Sequence, residues 1–134
     1  MQKPKPTAGL HHVALFVKNF EACEYFYTQL LGMSVEWRPD PDNLYLTSGN
    51  DNLALHRAPD DFLPANHQRL DHIGFFLTEP TDVDSWFVFL KANQVTIKAP
   101  PKDHRDGTRG FYCTDPDGNT IQFIYYPIAK KELK

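Results

Sequence analysis

Leu10-His11-His12-Val13-Ala14-Leu15-Phe16-Val17 returns 60 residues later as Leu70-Asp71-His72-Ile73-Gly74-Phe75-Phe76-Leu77. Leucine meets leucine at 10/70, histidine meets histidine at 12/72, and apolar residues meet at 13/73, 16/76 and 17/77. The same offset carries Leu30 onto Leu90 and Val35 onto Val95, so one register is kept over about 25 residues, the mark of a duplicated structural unit. Each copy opens with a run of alternating character that reads as a strand.

A helix follows each opening strand. In the first copy Asn19 stands as N-cap before a helix over 21–31, with Phe20, Cys23, Phe26 or Tyr27, and Leu30 as its apolar stripe and Gly32 as its stop. In the second, Thr81 with Asp84 reads as a capping box. Val83, Trp86, Phe87 and Leu90 form the stripe there, and Asn93 stops the helix. Three short strands come next in each copy: 33–37, 43–48 and 52–57, then 95–98, 109–114 and 120–126. Ser48-Gly49-Asn50-Asp51-Asn52 and Asp115-Pro116-Asp117-Gly118-Asn119 supply hairpin chemistry, and Asp115 and Asp117 are read as turn residues. A Pro-rich, charged stretch over 99–108 reads as a longer loop that moves the repeat offset from 60 to 66.

The expected fold is therefore α+β, two βαβββ modules forming an open eight-stranded barrel-like sheet. Its divisions are a tail over 1–8, module one over 9–58, a linker over 59–69, module two over 70–127 and a tail over 128–134. The 134 residues suffice for a core without disulfides, and 41% hydrophobic with 23% charged residues is the balance of a soluble globular chain. A net charge of −3 argues against nucleic acid or an anionic membrane as partner. Lysines at both ends (Lys3, Lys5, Lys130, Lys131, Lys134) read as solvated tails. Cys23 and Cys113 form no metal spacing and read as core thiols of a reduced, cytoplasmic protein. The opening MQKPKPTAG lacks the apolar stretch of a signal peptide, and no apolar run approaches the length of a membrane span.

Strand alternation sorts the histidines. Val13, Leu15 and Val17 want the helix-covered face, which leaves His12, Ala14 and Phe16 on the other. His72, Gly74 and Phe76 follow suit in the second copy. In the closing strands His56 shares a face with Ala54, and Gln122 with Thr120; at an offset of 66, His56 and Gln122 are repeat partners. Small residues two places away (Ala14, Ala54, Gly74, Thr120) leave that face open, where a solid core would want bulk. His12, His56 and His72, joined by Gln122, are thus expected to converge on one divalent metal.

LHHVALFV with YFYTQLLGM, LDHIGFFL, and DPDGNTIQF together resemble the vicinal oxygen chelate superfamily of glyoxalase I, fosfomycin resistance proteins, extradiol dioxygenases and bleomycin resistance proteins. The resemblance spans nearly the whole chain, roughly 9–127. It implies an open barrel around a metal held by His12, His56, His72 and Gln122, a small-molecule substrate bound through two oxygens, and subunits that pair as a homodimer. Gln122 stands where the family usually carries Glu, and an amide is no general base, so His56 or His104 would have to move the proton. Without that carboxylate an Fe(II) extradiol dioxygenase is a weaker alternative. A metal-free drug-binding protein is another, and the three histidines argue against it.

Three imidazoles and an amide leave the charge of an ion uncompensated, which makes a strong Lewis acid for an anionic or vicinal-oxygen substrate. Zn, Ni, Co, Fe or Mn would suit such ligands. Arg105 and Arg109 are candidates to clamp a carboxylate or phosphate, and Tyr112, Trp37 and Tyr45 to line the pocket. The expected activity is that of a metal-dependent isomerase, lyase or group transferase.

Overall fold

The computed structural model describes residues 2–63 and 69–127. The expected C-terminal tail (128–134) and residues 64–68 of the expected linker lie outside the described residues. The chain divides into two compact units between Asp60 and Asp61. Unit one contains β1 (His12–Val17), α1 (Phe20–Tyr25), which continues as a π-helical turn over Phe26–Leu30, β2 (Ser34–Asp40), β3 (Asn43–Thr47) and β4 (Asn52–Arg57). Unit two contains β5 (Ile73–Leu77), α2 (Pro80–Ala92), β6 (Ile97–Asp103), β7 (Arg109–Thr114) and β8 (Thr120–Tyr125).

The α+β class and the doubled strand–helix–three-strand order are as expected. The eight strands of the described residues form two unclosed four-stranded sheets, β1-β4-β3-β2 and β5-β8-β7-β6. In each, the opening strand runs parallel to the closing strand and the other pairings are antiparallel. The 99–108 stretch is also not a plain loop, because β6 runs on through Pro100 and Pro101 to Asp103. Proline lacks a ladder donor, and β6 tolerates two of them because it lies at the edge of its sheet, where one row of donors has no partner to meet.

Helix boundaries follow local chemistry. Gly32 takes φ 80° just after the first helix, so the expected stop is where a left-handed residue is needed. The capping box of α2 is formed by Glu79 and Asp82, two residues before the expected Thr81 and Asp84, with Pro80 at the first helical turn. Proline fits there because its missing N–H would have no helical partner.

Alternation along the strands decides the core. Leu15 and Val17 of β1, Leu44 and Leu46 of β3, and Leu53 and Leu55 of β4 are buried, together with Phe20, Cys23, Phe26 and Tyr27 of the helix. In unit two Phe111, Cys113, Ile121 and Phe123 of the sheet are buried with Val83 and Leu90 of α2. Both cysteines are buried and outside any disulfide, and burial pushes the Cys113 thiol up to about 12, which keeps it protonated and inert.

Gly110 of β7 marks a tight approach. A Cβ there would stand 2.9 Å from the backbone oxygen of Phe123 and 3.5 Å from Cβ of Ile124. Gly110→Ala is expected to push β7 and β8 apart and to cost about 1–3 kcal/mol in a urea unfolding titration. An unchanged midpoint would contradict that packing.

Candidate metal centre

The open face of unit one is built from every second residue of three neighbouring strands. His12 lies in register with Asn52, Ala14 with Ala54, and Phe16 with His56. Across the antiparallel pair, Asn43 faces His56 and Tyr45 faces Ala54. Trp37 of β2 stacks on Tyr45 at 5.2 Å between ring centroids, and the His56 ring meets Tyr45 edge-on at 6.0 Å and Phe16 at 6.2 Å.

Each histidine on this face is held in the same way. His12 Nδ1 lies 2.6 Å from Asn52 Oδ1, and Asn52 Nδ2 donates to Glu36 Oε1 at 2.7 Å. His56 Nδ1 lies 2.6 Å from Asn43 Oδ1, and Asn43 Nδ2 donates to Asp40 at 2.9 Å. A carboxylate accepts only, so it turns each amide NH2 toward itself and the amide oxygen toward the ring. The oxygen in turn requires Nδ1–H on the imidazole, which leaves Nε2 as the lone-pair nitrogen. The donation from Asn43 holds the Asp40 carboxyl below the usual carboxylate range.

Unit two carries a compact pair. Gln122 of β8 lies in register with Gly74 of β5 and with Tyr112 of β7. Its Nε2 donates to the Tyr112 hydroxyl at 3.1 Å, which directs Oε1 away from Tyr112. On that side stands Gly74, where a Cβ would come within 3.5 Å of Oε1. His72 immediately precedes β5 and meets the Tyr112 ring edge-on at 5.4 Å. Its Nδ1 donates to Asp71 Oδ2 at 2.7 Å, so its lone pair too is on Nε2.

The registers correct the repeat offset. Val13 pairs with Leu53, and its counterpart Ile73 pairs with Ile121, so the closing strands correspond at an offset of 68, not 66. Gln122 is therefore the counterpart of Ala54, and His56 that of Ile124. His56 lies four residues along β4 from Asn52, the neighbour of His12. At about 3.3 Å per residue that is about 13 Å. Two imidazoles bonding one ion at about 2.1 Å each must bring their nitrogens within about 4 Å. The expected sharing of an ion by His12 and His56 does not fit this register.

Among the described residues no group of three or more His, Cys, Asp or Glu stands together as an ion-holding set. His12 in unit one, and His72 with Gln122 in unit two, fit a divalent ion by the chemistry of their donors. Each carries an acceptor atom freed by a hydrogen bond on its other polar atom, the arrangement that orients metal ligands.

The charged loop is not part of either face. His104 sits in the turn after β6, where its N–H donates to Thr108 and its side chain is exposed, and Arg105 is exposed beside it. Asp103 pairs with Arg109, which pairs with Tyr125, three residues along β8 from Gln122. Arg109 itself alternates onto the helix side of β7. There it is held by Asp84 of α2 at 2.7 Å and by Asp103 at 3.0 Å. Both carboxylates raise its pKa, Asp84 the more, so it is an ion-paired residue and not the free clamp expected. Arg109→Ala is expected to cost about 1 kcal/mol or less by denaturant titration and to leave metal affinity alone. A lost metal site would contradict that placement.

A family model for the Glyoxalase/Bleomycin resistance protein/Dioxygenase superfamily matches residues 9–123. The chain is 32% identical over 119 residues to a metallothiol transferase FosB of Staphylococcus epidermidis, covering 85% of this chain and 79% of that one. It is 25% identical over 124 residues to a manganese-dependent 2,3-dihydroxybiphenyl 1,2-dioxygenase of Geobacillus genomosp. 3, of which it spans 38%. Its fold superposes on a glyoxalase/dioxygenase from Nostoc punctiforme with a TM-score of 0.78 at 24% identity, covering 95% of this chain and 97% of that one. On a lactoylglutathione lyase from Agrobacterium tumefaciens the TM-score is 0.75 at 19% identity, with 92% and 98% covered. The duplicated βαβββ units and the matched span together make this chain a member of the glyoxalase/bleomycin resistance/dioxygenase family, the vicinal oxygen chelate superfamily.

Proposed function

We propose that this protein is a divalent-metal-dependent enzyme that transfers a thiol to a small, oxygen-rich or anionic molecule, with His12, His72 and Gln122 each a metal ligand. The observation that carries the reading is the shared orientation of the three donors, each with its second polar atom tied back to the protein. The 32% identity to a metallothiol transferase favours thiol transfer over the lyase and isomerase alternatives. Three neutral donors would leave an ion's double charge to attract substrate oxygens, the Lewis-acid chemistry such an ion supplies.

Gln122 cannot accept a proton, so the thiol must lose its proton elsewhere. His56, with Nε2 bare and Asp40 behind Asn43, is the proton acceptor we assign. The sulfur attacks carbon, a C–S bond forms as a C–O bond breaks, and the proton given up by the thiol is balanced by one taken up on the released oxygen. We place the assembled site in a homodimer, the form the family resemblance implies.

One observation favours a second reading, a metal-free protein that holds a planar aromatic molecule. Trp37 is 59% exposed and stacks on Tyr45. The test is thiol consumption with a small epoxide acid by untagged protein loaded with Zn, Ni, Co, Fe or Mn. Turnover lost to a chelator and restored by metal is expected. Turnover, or aromatic-ligand affinity, indifferent to chelator would contradict the first reading and support the second.

A further inference from the structure

Ligand nitrogens are only as good as the tautomer that presents them. A neutral imidazole can carry its proton on either nitrogen, and only the bare one bonds a metal. For His72 the choice is made by its sequence neighbour Asp71. For His12 it is made by two residues from other strands: Asn52, brought alongside by the β1–β4 register, and Glu36 of the outer strand β2. Neither residue shares an element with His12, and nothing in the linear order of 12, 36 and 52 announces the chain they form.

We infer that Asn52 and Glu36 are positioning residues for His12, holding its ring with the proton on Nδ1 and the lone pair of Nε2 presented from the open face. The geometry is directional at each link. Glu36 Oε1 can only accept, so Asn52 must donate to it through Nδ2. That leaves Asn52 Oδ1 as the atom facing His12, at 2.6 Å. The carboxylate also polarises the amide, which strengthens the amide oxygen as an acceptor. A hydrogen bond of this type further fixes ring rotation, so that the ligand need not be ordered when the ion arrives.

The same device occurs a second time on this face, as Asp40–Asn43–His56. It supplies an internal control. The two relays have no residue in common, and their histidines stand four β4 positions apart in register. Disturbing one relay should leave the other unaltered.

The inference rests on the reading of His12 as a metal ligand, and the experiment separates the two. Imidazole 15N shifts are recorded on metal-free full-length protein at alkaline pH for wild type, Asn52→Leu, Glu36→Gln and Asn43→Leu. Co2+ affinity is then titrated by visible absorption for the same set and for His12→Ala, and each melting temperature is measured. In wild type His12 is expected to show a protonated Nδ1 and a bare Nε2. Asn52→Leu is expected to mix the two tautomers at His12 only, and to weaken Co2+ binding by about 10–100-fold. Glu36→Gln keeps an acceptor for Asn52 and should retain most of the affinity. Asn43→Leu should mix the tautomers at His56 only and leave Co2+ binding at the wild-type value. If His12→Ala loses Co2+ while Asn52→Leu keeps both tautomer and affinity, the inference falls and the metal reading stands. If Asn52→Leu lowers melting temperature and affinity together with the His12 tautomer unchanged, the residue is merely structural and the inference falls again. If His12→Ala binds Co2+ as the wild type does, the metal reading falls and takes the inference with it.

Discussion

His12→Ala and His72→Ala are each expected to lower divalent-metal affinity by 100-fold or more, and His56→Ala to lower it less than about threefold. Losing even a residue that orients a metal ligand costs about 10–100-fold, so losing a ligand outright should exceed that range. His12 at the start of β1 and His72 just before β5 are repeat counterparts, and each has a bare Nε2. His56 has the same bare nitrogen but stands beside Phe16, four β4 positions from the neighbour of His12. Titration of untagged protein with Co2+ or Zn2+ checks this. Equal losses at His12 and His56 would contradict their separation along β4 and would require a different β4 register. Because His56 is assigned a proton, its removal should reduce thiol-transfer turnover while metal stays bound, a split that a purely structural histidine would not give.

Phe123→Ala is expected to have the largest effect on stability, about 3–5 kcal/mol. Phe123 is 2% exposed and lies within a stack of rings: Phe111 at 5.1 Å, Trp86 at 5.3 Å and Phe75 at 5.9 Å. Truncation removes its own buried area and also the ring contacts, worth about 0.5–1.5 kcal/mol per pair. Domains of this size keep only about 5–15 kcal/mol in hand, so unit two should become marginal. Phe76→Ala serves as the comparison. Its ring is 58% exposed, and the change should cost below about 1 kcal/mol by the same urea titration. Similar costs for the two would contradict the assignment of faces.

Much of the architecture was legible because it is written in local terms. The duplication shows in the apolar pattern around His12 and His72, the first helix stop in Gly32, and the hairpin in Asp115, which accepts from the N–H groups of Asp117 and Asn119. The faces of β1 and β5 also followed from alternation alone. The misplaced features depend on partners. Nothing local distinguishes an offset of 66 from one of 68 in the closing strands. Both keep every side chain on its proper face, because strands repeat every two residues. The parallel ladders decide it, and with it which residue of β4 answers Gln122. The prolines of β6 read as loop until the edge position of the strand is known.

The site divides in the same way. His12, His72 and Gln122 were visible as polar residues on an open face. Arg109 was misassigned because its alternation with Tyr112 places it on the helix side, within reach of Asp84. Asn52, Glu36, Asn43 and Asp40 gave no signal at all, since only strand pairing brings them behind the histidines. Gly110 likewise reads as an ordinary strand residue until the backbone of β8 is seen against it.

The most direct measurement counts imidazoles around the ion, by X-ray absorption of the full-length protein loaded with one equivalent of Zn2+. Imidazole nitrogens at about 2.0–2.1 Å from zinc are expected, with fewer rings per zinc in His12→Ala. A ring count unmoved by that substitution would contradict His12 as a metal ligand.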